Sequence, residues 1–183
     1  MMAGTGEELY RQSKKGDQQA FAELYERYAT ALYRYALHLS ESPAVAEEIT
    51  HELFLQLIGP YSGFDEQRGT LEAYLYGAVR NLVRVARRNR IFAQSENQAA
   101  DDDILGDLIR DQRAAALYAA IRELPPQYRD AVLLCELEEK SYEEAARILG
   151  CPIGTVRSRL HRARLLLAAR MKAAVVSSPA ERR

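Results

Sequence analysis

The sequence predicts an all-α protein made of two small helical domains that are joined by a flexible acidic linker. Apolar residues recur at helical spacing in almost every segment of the 183 residues, and no segment alternates as a β-strand does. Residues 93–112 instead combine Gln, Asn, Ala and Asp with few large apolar side chains. We therefore place one domain at 8–92, the linker at 93–112 and a second domain at 113–173.

Three long helices are predicted in the first domain. Residues 18–39 form the first, and the second begins with Ser42 as its N-cap and ends at Gly59. Turn-forming residues fill 59–70, and Thr70 caps a third helix over 71–90. The helical wheel of this third helix predicts a buried face made of Leu71, Leu75, Ala78, Leu82 and Val85.

The second domain carries the pattern of a helix-turn-helix. Residues 127–138 form one helix after the break at Pro125 and Pro126. Residues 141–170 then predict a capped helix that ends at Gly150, a tight turn, and a second helix that begins near Gly154 or Thr155.

A helical wheel of the second helix, drawn at about 100° per residue, sorts its residues into three groups. Val156, Leu160, Ala163 and Leu167 form a stripe that should pack on the preceding helix. The opposite side suits base edges in a DNA major groove, and the flanks suit phosphates. The residues of this DNA-facing set are Thr155, Arg157, Ser158, His161 and Arg162, with Arg159 and Arg164 on the flanks. A solvated basic helix would show the same arginines, but residues 151–180 contain no acid, which favours DNA.

Charge is segregated along the chain although its net value is −1. Residues 79–92 hold five arginines and no acid, whereas residues 96–111 hold six acids and one arginine. A polyanion would respond to these local fields and not to the net charge.

The helix over 71–90 and the loop before it predict a second nucleic-acid surface. Basic side chains with interleaved aromatic rings suit single-stranded DNA, whose bases stack on rings or enter a pocket. The candidates are Tyr61, Phe64, Tyr74, Arg80, Asn81, Arg84, Arg87 and Arg88. Phe64 and Tyr74 fit a hydrophobic core equally well.

The predicted helix after Ser42 has an acidic polar side. Glu47, Glu48, His51 and Glu52 share it. Such a face is either solvated surface or a docking site for a basic protein partner.

Several classes of function lack support in the sequence. Cys135 and Cys151 have no zinc-type spacing, so we expect no metal and no cofactor. No catalytic triad or phosphate loop is visible, and we expect no enzyme. We find neither a signal peptide nor a run of the ~20 apolar residues that a membrane span needs, which predicts a cytoplasmic protein.

Four segments in order resemble the extracytoplasmic-function sigma factors of the sigma-70 superfamily. They are GDQQAFAELYERYATALYRYAL, AEEITHELFLQL, FDEQRGTLEAYLYGAVRN and LPPQYRDAVLLCELEEKSYEEAARILGCPIGTVRSRLHRAR. The resemblance implies sigma domain 2 at 8–92 and sigma domain 4 at 113–173. It also implies three partners: core RNA polymerase (β′ clamp helices and β flap), promoter DNA and an anti-sigma factor.

The resemblance also implies roles for individual residues. Glu48, His51 and Glu52 would contact the clamp helices. The −10 element would be melted and captured by Phe64, Tyr74, Arg80, Asn81 and Arg84, and the −35 element would be read by the DNA-facing set of the second domain. This chain departs from the family pattern at His51, where Gln is common, and at Tyr74, where Trp is common. A different hypothesis is a helix-turn-helix regulator whose first domain senses a ligand or dimerises.

Overall fold

The structure, a computed structural model, describes residues 4–60, 62–94 and 112–177. Every regular segment in these ranges is a helix, which confirms the predicted all-α class. The chain divides into two compact units, Met1–Asp102 and Asp103–Arg183. The predicted acidic linker lies almost wholly outside the described residues, and its bounds stay a prediction.

The described residues of the first unit form four helices, and the second of them packs against the other three. They are α1 (Gly6–Ser13), α2 (Gln18–Ser40), α3 (Pro43–Ile58) and α4 (Leu71–Gln94). The three long helices confirm the sequence prediction. Helix α1 was not predicted, although Thr5 and Glu8 form a reciprocal capping box at its start.

Side-chain caps fix where the helices of the first unit begin. Ser42 caps α3, with Pro43 at its first position, as predicted. The Thr70 hydroxyl accepts a hydrogen bond from the Ala73 amide at the start of α4 (3.3 Å). The Glu7 carboxylate of α1 accepts another from the Leu71 amide (3.0 Å), so α1 also caps α4.

The buried face of α4 differs in part from the prediction. Leu71 and Leu75 are buried as expected, but Tyr76, Val79 and Val83 complete the face, and the predicted Ala78, Leu82 and Val85 are only half-buried. Tyr76 packs against Tyr35 of α2, with ring centroids 5.1 Å apart. This aromatic contact turns α4 toward the side of Tyr76.

Residues 112–177 of the second unit form four helices and one π-helical segment. They are α5 (Gln112–Arg122), α6 (Pro126–Val132), the π-helical segment Leu133–Leu137, α7 (Tyr142–Leu149) and α8 (Ile153–Ser177). Helices α5, α6 and α7 all pack on α8. The predicted helix over 127–138 is therefore an α-helix that widens into a π-helical turn, which re-aims the side chains that follow it.

Helices α7 and α8 form the predicted helix-turn-helix. Ser141 and Glu144 make the capping box, and Gly150 ends α7 in the left-handed region (φ 61°), where only glycine fits without strain. Helix α8 begins at Ile153, slightly earlier than predicted. Three members of its predicted stripe, Val156, Leu160 and Ala163, are buried as predicted, and Leu167 is only half-buried.

We predict that Ser141→Ala weakens α7 by about 1 kcal/mol at neutral pH, as the loss of an N-cap does. Hydrogen bonds from the Ser141 hydroxyl and amide hold the pKa of Glu144 below its ordinary 4.5. A lowered pKa stabilises the folded state above the unfolded value, and that stability is lost as the pH falls through the folded value. The cost of Ser141→Ala should therefore shrink below pH 4.5.

Amide hydrogen exchange across Tyr142–Leu149 at several pH values checks this. Glu144→Gln should remove the acid-dependent part of the protection, whereas the control Glu143→Gln, in the same helical turn, should retain it. An equal loss of acid dependence in both variants would contradict the prediction.

Candidate nucleic-acid interface

The outer side of α8 presents the residues that the helical wheel selected. Arg157, Ser158, His161 and Arg162 are all exposed, and Thr155 is half-buried at the start of the helix. The Ser158 hydroxyl donates to the Thr155 carbonyl (3.0 Å), which leaves its oxygen as an acceptor. One continuous surface of α8 thus offers arginine, imidazole and hydroxyl groups to a ligand.

The two flanking arginines of α8 already have partners within the second unit. The Arg159 guanidinium donates to the Cys151 sulfur in the turn (3.7 Å). The Arg164 guanidinium forms an ion pair with Glu136 of the π-helical segment (2.6 Å). The hydrogen bond and the negative charge of Glu136 raise the pKa of Arg164 above its ordinary value. Arg164 is thus oriented by an acid that competes with any phosphate.

Tyr142, the first residue of α7, touches the same surface. The Arg157 guanidinium carbon lies 5.9 Å from the centroid of the Tyr142 ring, near the outer limit of a cation–π contact. Arg164 also hydrogen-bonds with the Tyr142 side chain. Tyr142 therefore contacts one arginine of the predicted reading set and one of the flanking set.

Phe64 and Tyr74 are both half-buried. Their exposure is therefore intermediate between that of core residues and that of surface residues, the two alternatives that the sequence left open. Their ring centroids are 5.5 Å apart. Burial raises the pKa of the Tyr74 hydroxyl, against the opposing effect of its hydrogen bond with the Gly63 backbone. A Cβ at Gly63 would lie 3.4 Å from that hydroxyl, at van der Waals contact, so Gly63 and Tyr74 are close neighbours.

The polar side chains of the second surface lie about two turns of α4 beyond Tyr74. Asn81 and Arg84 are exposed, and Arg84 donates to the Asn81 side-chain oxygen (2.9 Å). The Asn81 amide nitrogen is thereby directed away from Arg84. Arg80 is half-buried.

The remaining predicted members of this second surface divide into three cases. Arg88 is exposed. Arg87 instead binds the Leu39 carbonyl and Glu41 at the end of α2, so it joins two helices. Tyr61 lies outside the described residues.

Helix α3 presents the predicted acidic face to solvent. Glu48, His51 and Glu52 are exposed, and Gln56 donates to Glu52 (2.8 Å). Leu55, seven residues after Glu48 and hence on the same side, is 67% exposed. His51 lines a groove of about 480 Å³ between α2 and α3, together with Tyr25, Ala29, Thr30, Tyr33, Glu47 and Thr50.

Sequence reasoning missed the residues that support these surfaces. Tyr10 of α1 donates to the Ser62 hydroxyl (2.8 Å) and packs edge-on against Phe64 (5.1 Å). The partners Tyr10 and Ser62 are 52 residues apart, and Glu136 and Arg164 are 28 apart, so no local pattern marks either pair. The one available signal was the Thr5–Glu8 capping box, which predicts α1 itself.

Within the described ranges, no helix combines the length and the apolar character that crossing a membrane requires. The same part of the chain contains no group of three or more His, Cys, Asp or Glu side chains that could hold a metal ion.

Sequence comparisons place both units in one family. The family model described as Sigma-70 region 2 matches residues 24–91, and the one described as Sigma-70, region 4 matches residues 114–167. The first match includes the acidic face of α3 and the surface formed by the loop and α4, and the second includes the outer side of α8.

Individual relatives agree with the family models. The chain is 38% identical over 160 residues to the ECF RNA polymerase sigma factor SigE of Mycolicibacterium smegmatis, covering 81% of this chain and 62% of that protein. It is 32% identical over 145 residues to the ECF RNA polymerase sigma factor EcfG of Rhodopseudomonas palustris, covering 76% of this chain and 78% of that protein.

One solved structure adds a comparison of fold. It is the sigma factor RpoE of Bartonella quintana in complex with the anti-sigma factor NepR, at 25% identity and a TM-score of 0.63. The match covers 83% of this chain and 96% of that chain.

We predict that Glu136→Gln makes α8 a stronger but less selective ligand for duplex DNA. Without the ion pair, Arg164 becomes available to a phosphate, and the slope of log affinity against log salt should steepen by up to about 0.9. Because the ion pair is largely exposed, the free energy of unfolding should change by no more than about 1 kcal/mol.

A salt titration with a non-specific duplex, followed by fluorescence anisotropy, measures this slope. Glu139→Gln is the matched control, because it removes the same charge at an exposed position two residues beyond the segment. The prediction is wrong if the two variants have the same slope.

Proposed function

The chain belongs to the extracytoplasmic-function sigma factors of the sigma-70 family, and from that premise we propose that it binds core RNA polymerase and directs promoter-specific initiation of transcription. The exposed, arginine-rich side of α8 is the observation that carries this proposal. Initiation then needs three surfaces at once: one for duplex DNA, one for melted DNA and one for the polymerase.

The −35 element is read by α8. In this proposal Arg157 and Arg162 bond guanine edges, and Ser158 and His161 bond other base edges; the exposure of all four side chains supports it. Arg159 and Arg164 lie where phosphates of the same groove would pass. Arg164 must exchange its ion pair with Glu136 for a phosphate or share it between both, which moderates its affinity.

The −10 element is melted and captured by the loop before α4 and by α4 itself. Phe64 and Tyr74 supply half-buried rings for an unstacked base. Arg80 and Arg84 neutralise the strand backbone, and the Asn81 amide is placed to hydrogen-bond a base. Tyr74 offers less ring area than the tryptophan common in the family, which we expect to lower melting efficiency.

The polymerase contact is the outer side of α3. Glu48 and Glu52 attract a basic partner, and Leu55 supplies apolar area in the middle of the same face. We assign this face to the β′ clamp helices, with the groove beside His51 receiving a side chain of the partner. The second unit is assigned to the β flap.

Regulation and location follow from the same assignment. The similar sigma factor of Bartonella quintana was solved in complex with an anti-sigma factor, and we propose that this chain too has such a partner. It acts in the cytoplasm, where polymerase and chromosome are, as a binding subunit and not as an enzyme.

Run-off transcription from a genomic fragment library, with purified core polymerase, tests the proposal. The chain should bind core and yield transcripts from a limited set of fragments, and core alone should not. If the chain neither binds core nor produces discrete start sites, the proposal is wrong.

We predict that Arg157→Ala weakens −35 binding by about 1–3 kcal/mol and relaxes the preference at one base position. Arg164→Ala should instead weaken binding almost equally on all sequences, because a phosphate contact carries no base information. Binding of each variant to a library of −35 duplexes separates the two outcomes. A uniform loss with Arg157→Ala would contradict its assignment as a base contact.

We predict that Asn81→Ala leaves duplex binding unchanged but slows open-complex formation about tenfold, as expected for the loss of one buried base contact of about 1.4 kcal/mol. Asn89→Ala, an exposed asparagine farther along α4, is the matched control and should behave as the unsubstituted chain. Permanganate reactivity of −10 thymines over time measures the rate. Equal rates for both variants would remove Asn81 from the melting surface.

A further inference from the structure

We propose that Tyr10 of α1 is a positioning residue that holds the 62–64 loop in the shape needed to capture an unpaired base. The inference rests on the proposed −10 function of Phe64 and Tyr74. Residues 6–13, which form α1, lie outside the range that the family model matches, 24–91. The assignment therefore comes from the contacts of this chain alone.

Tyr10 meets the loop through both its ring and its hydroxyl. The side chain is almost fully buried, and its ring packs edge-on against Phe64 at 5.1 Å. Its hydroxyl donates to the Ser62 oxygen at 2.8 Å, and that oxygen lies 3.5 Å from the Phe64 amide as a second donor. The Ser62 side chain thus links Tyr10 of α1 to the backbone of Phe64.

Phe64 is held from the other side by α4. Its ring lies 5.5 Å from the ring of Tyr74, and the Tyr74 hydroxyl lies beside Gly63, where a Cβ would come within 3.4 Å of it. The order Tyr10, Phe64, Tyr74 makes a row of three rings, and the hydrogen bond from Tyr10 to Ser62 ties one end of the row to the loop. Removing this hydrogen bond should let Phe64 leave Tyr74 without unfolding the helices.

Further contacts show that α1 braces the whole loop and not Phe64 alone. The Lys14 ammonium donates to the Gly59 carbonyl where the loop begins. Arg11 pairs with Glu66 in its middle (3.4 Å), and Glu7 accepts from the Leu71 amide where it ends (3.0 Å). Of these contacts only that of Tyr10 reaches the aromatic row, so Tyr10 is the one that sets the position of the rings.

Binding of a single strand by the complex of full chain and core polymerase tests the proposal. The probe is the non-template −10 strand of a promoter recovered by run-off transcription, with 2-aminopurine in place of one −10 base. Tyr10→Phe keeps the ring but loses the hydrogen bond, and Ser62→Ala loses the same bond from the other side. Each should weaken probe binding about 3–10-fold, as expected for one hydrogen bond, and reduce the gain in aminopurine fluorescence at saturation.

The double variant should bind the probe no more weakly than Ser62→Ala alone, because Ser62→Ala already removes the hydrogen bond that Tyr10→Phe removes. Core binding and −35 duplex binding should stay unchanged. Tyr128→Phe, which removes a tyrosine hydroxyl from the second unit, is the control and should bind the probe normally.

Four results would overturn the inference. Additive losses in the double variant would show that Tyr10 and Ser62 act separately. Unaltered probe binding by Tyr10→Phe, or a loss matched by a lower melting temperature and weaker core binding, would leave Tyr10 a purely structural residue. If the unsubstituted chain with core does not bind the strand, the −10 proposal fails first and this inference falls with it.

Discussion

The burial of Val156, Leu160 and Ala163 determines which side of α8 faces outward. These side chains pack among helices α5, α6 and α7, and a helix has only one rotation that buries all three. The exposed positions of Arg157, Ser158, His161 and Arg162 follow from that rotation and from nothing else in the sequence. A reading surface built in this way is rigid, because turning it would expose apolar core.

The first unit positions in a different way the side chains that we propose to bind DNA. The rings of Phe64 and Tyr74 come from a loop and a helix, so no single buried stripe orients both. Long-range contacts from α1 take that role, through Tyr10 to Ser62 and through Glu7 to the start of α4. Capture of an unstacked base requires a loop that is ordered but can still move when the base enters. Individual hydrogen bonds allow such movement at a lower free-energy cost than a packed core does.

The difference between local and long-range contacts also explains what the sequence could predict. Ser42, Ser141, Glu144 and Gly150 act on residues three or four positions away, and their caps and helix ends were visible in the sequence. The prediction of the buried face of α4 was partly wrong, because Tyr76 packs on Tyr35 of another helix and the sequence does not reveal that contact. No periodic pattern in the sequence marks the ion pair between Glu136 and Arg164. Arg164 was therefore predicted only as a phosphate contact, although its guanidinium already pairs with a carboxylate of the same unit.

The central claim is that two DNA-binding surfaces on one chain act together only when polymerase holds them. Hydroxyl-radical footprinting of one promoter fragment, with the chain alone, core alone and both together, tests it most directly. We expect continuous protection over −35 and −10, with melting at −10, only in the combined sample. A symmetrical footprint from the chain alone, unchanged by core and without melting, would contradict the claim and indicate a helix-turn-helix regulator.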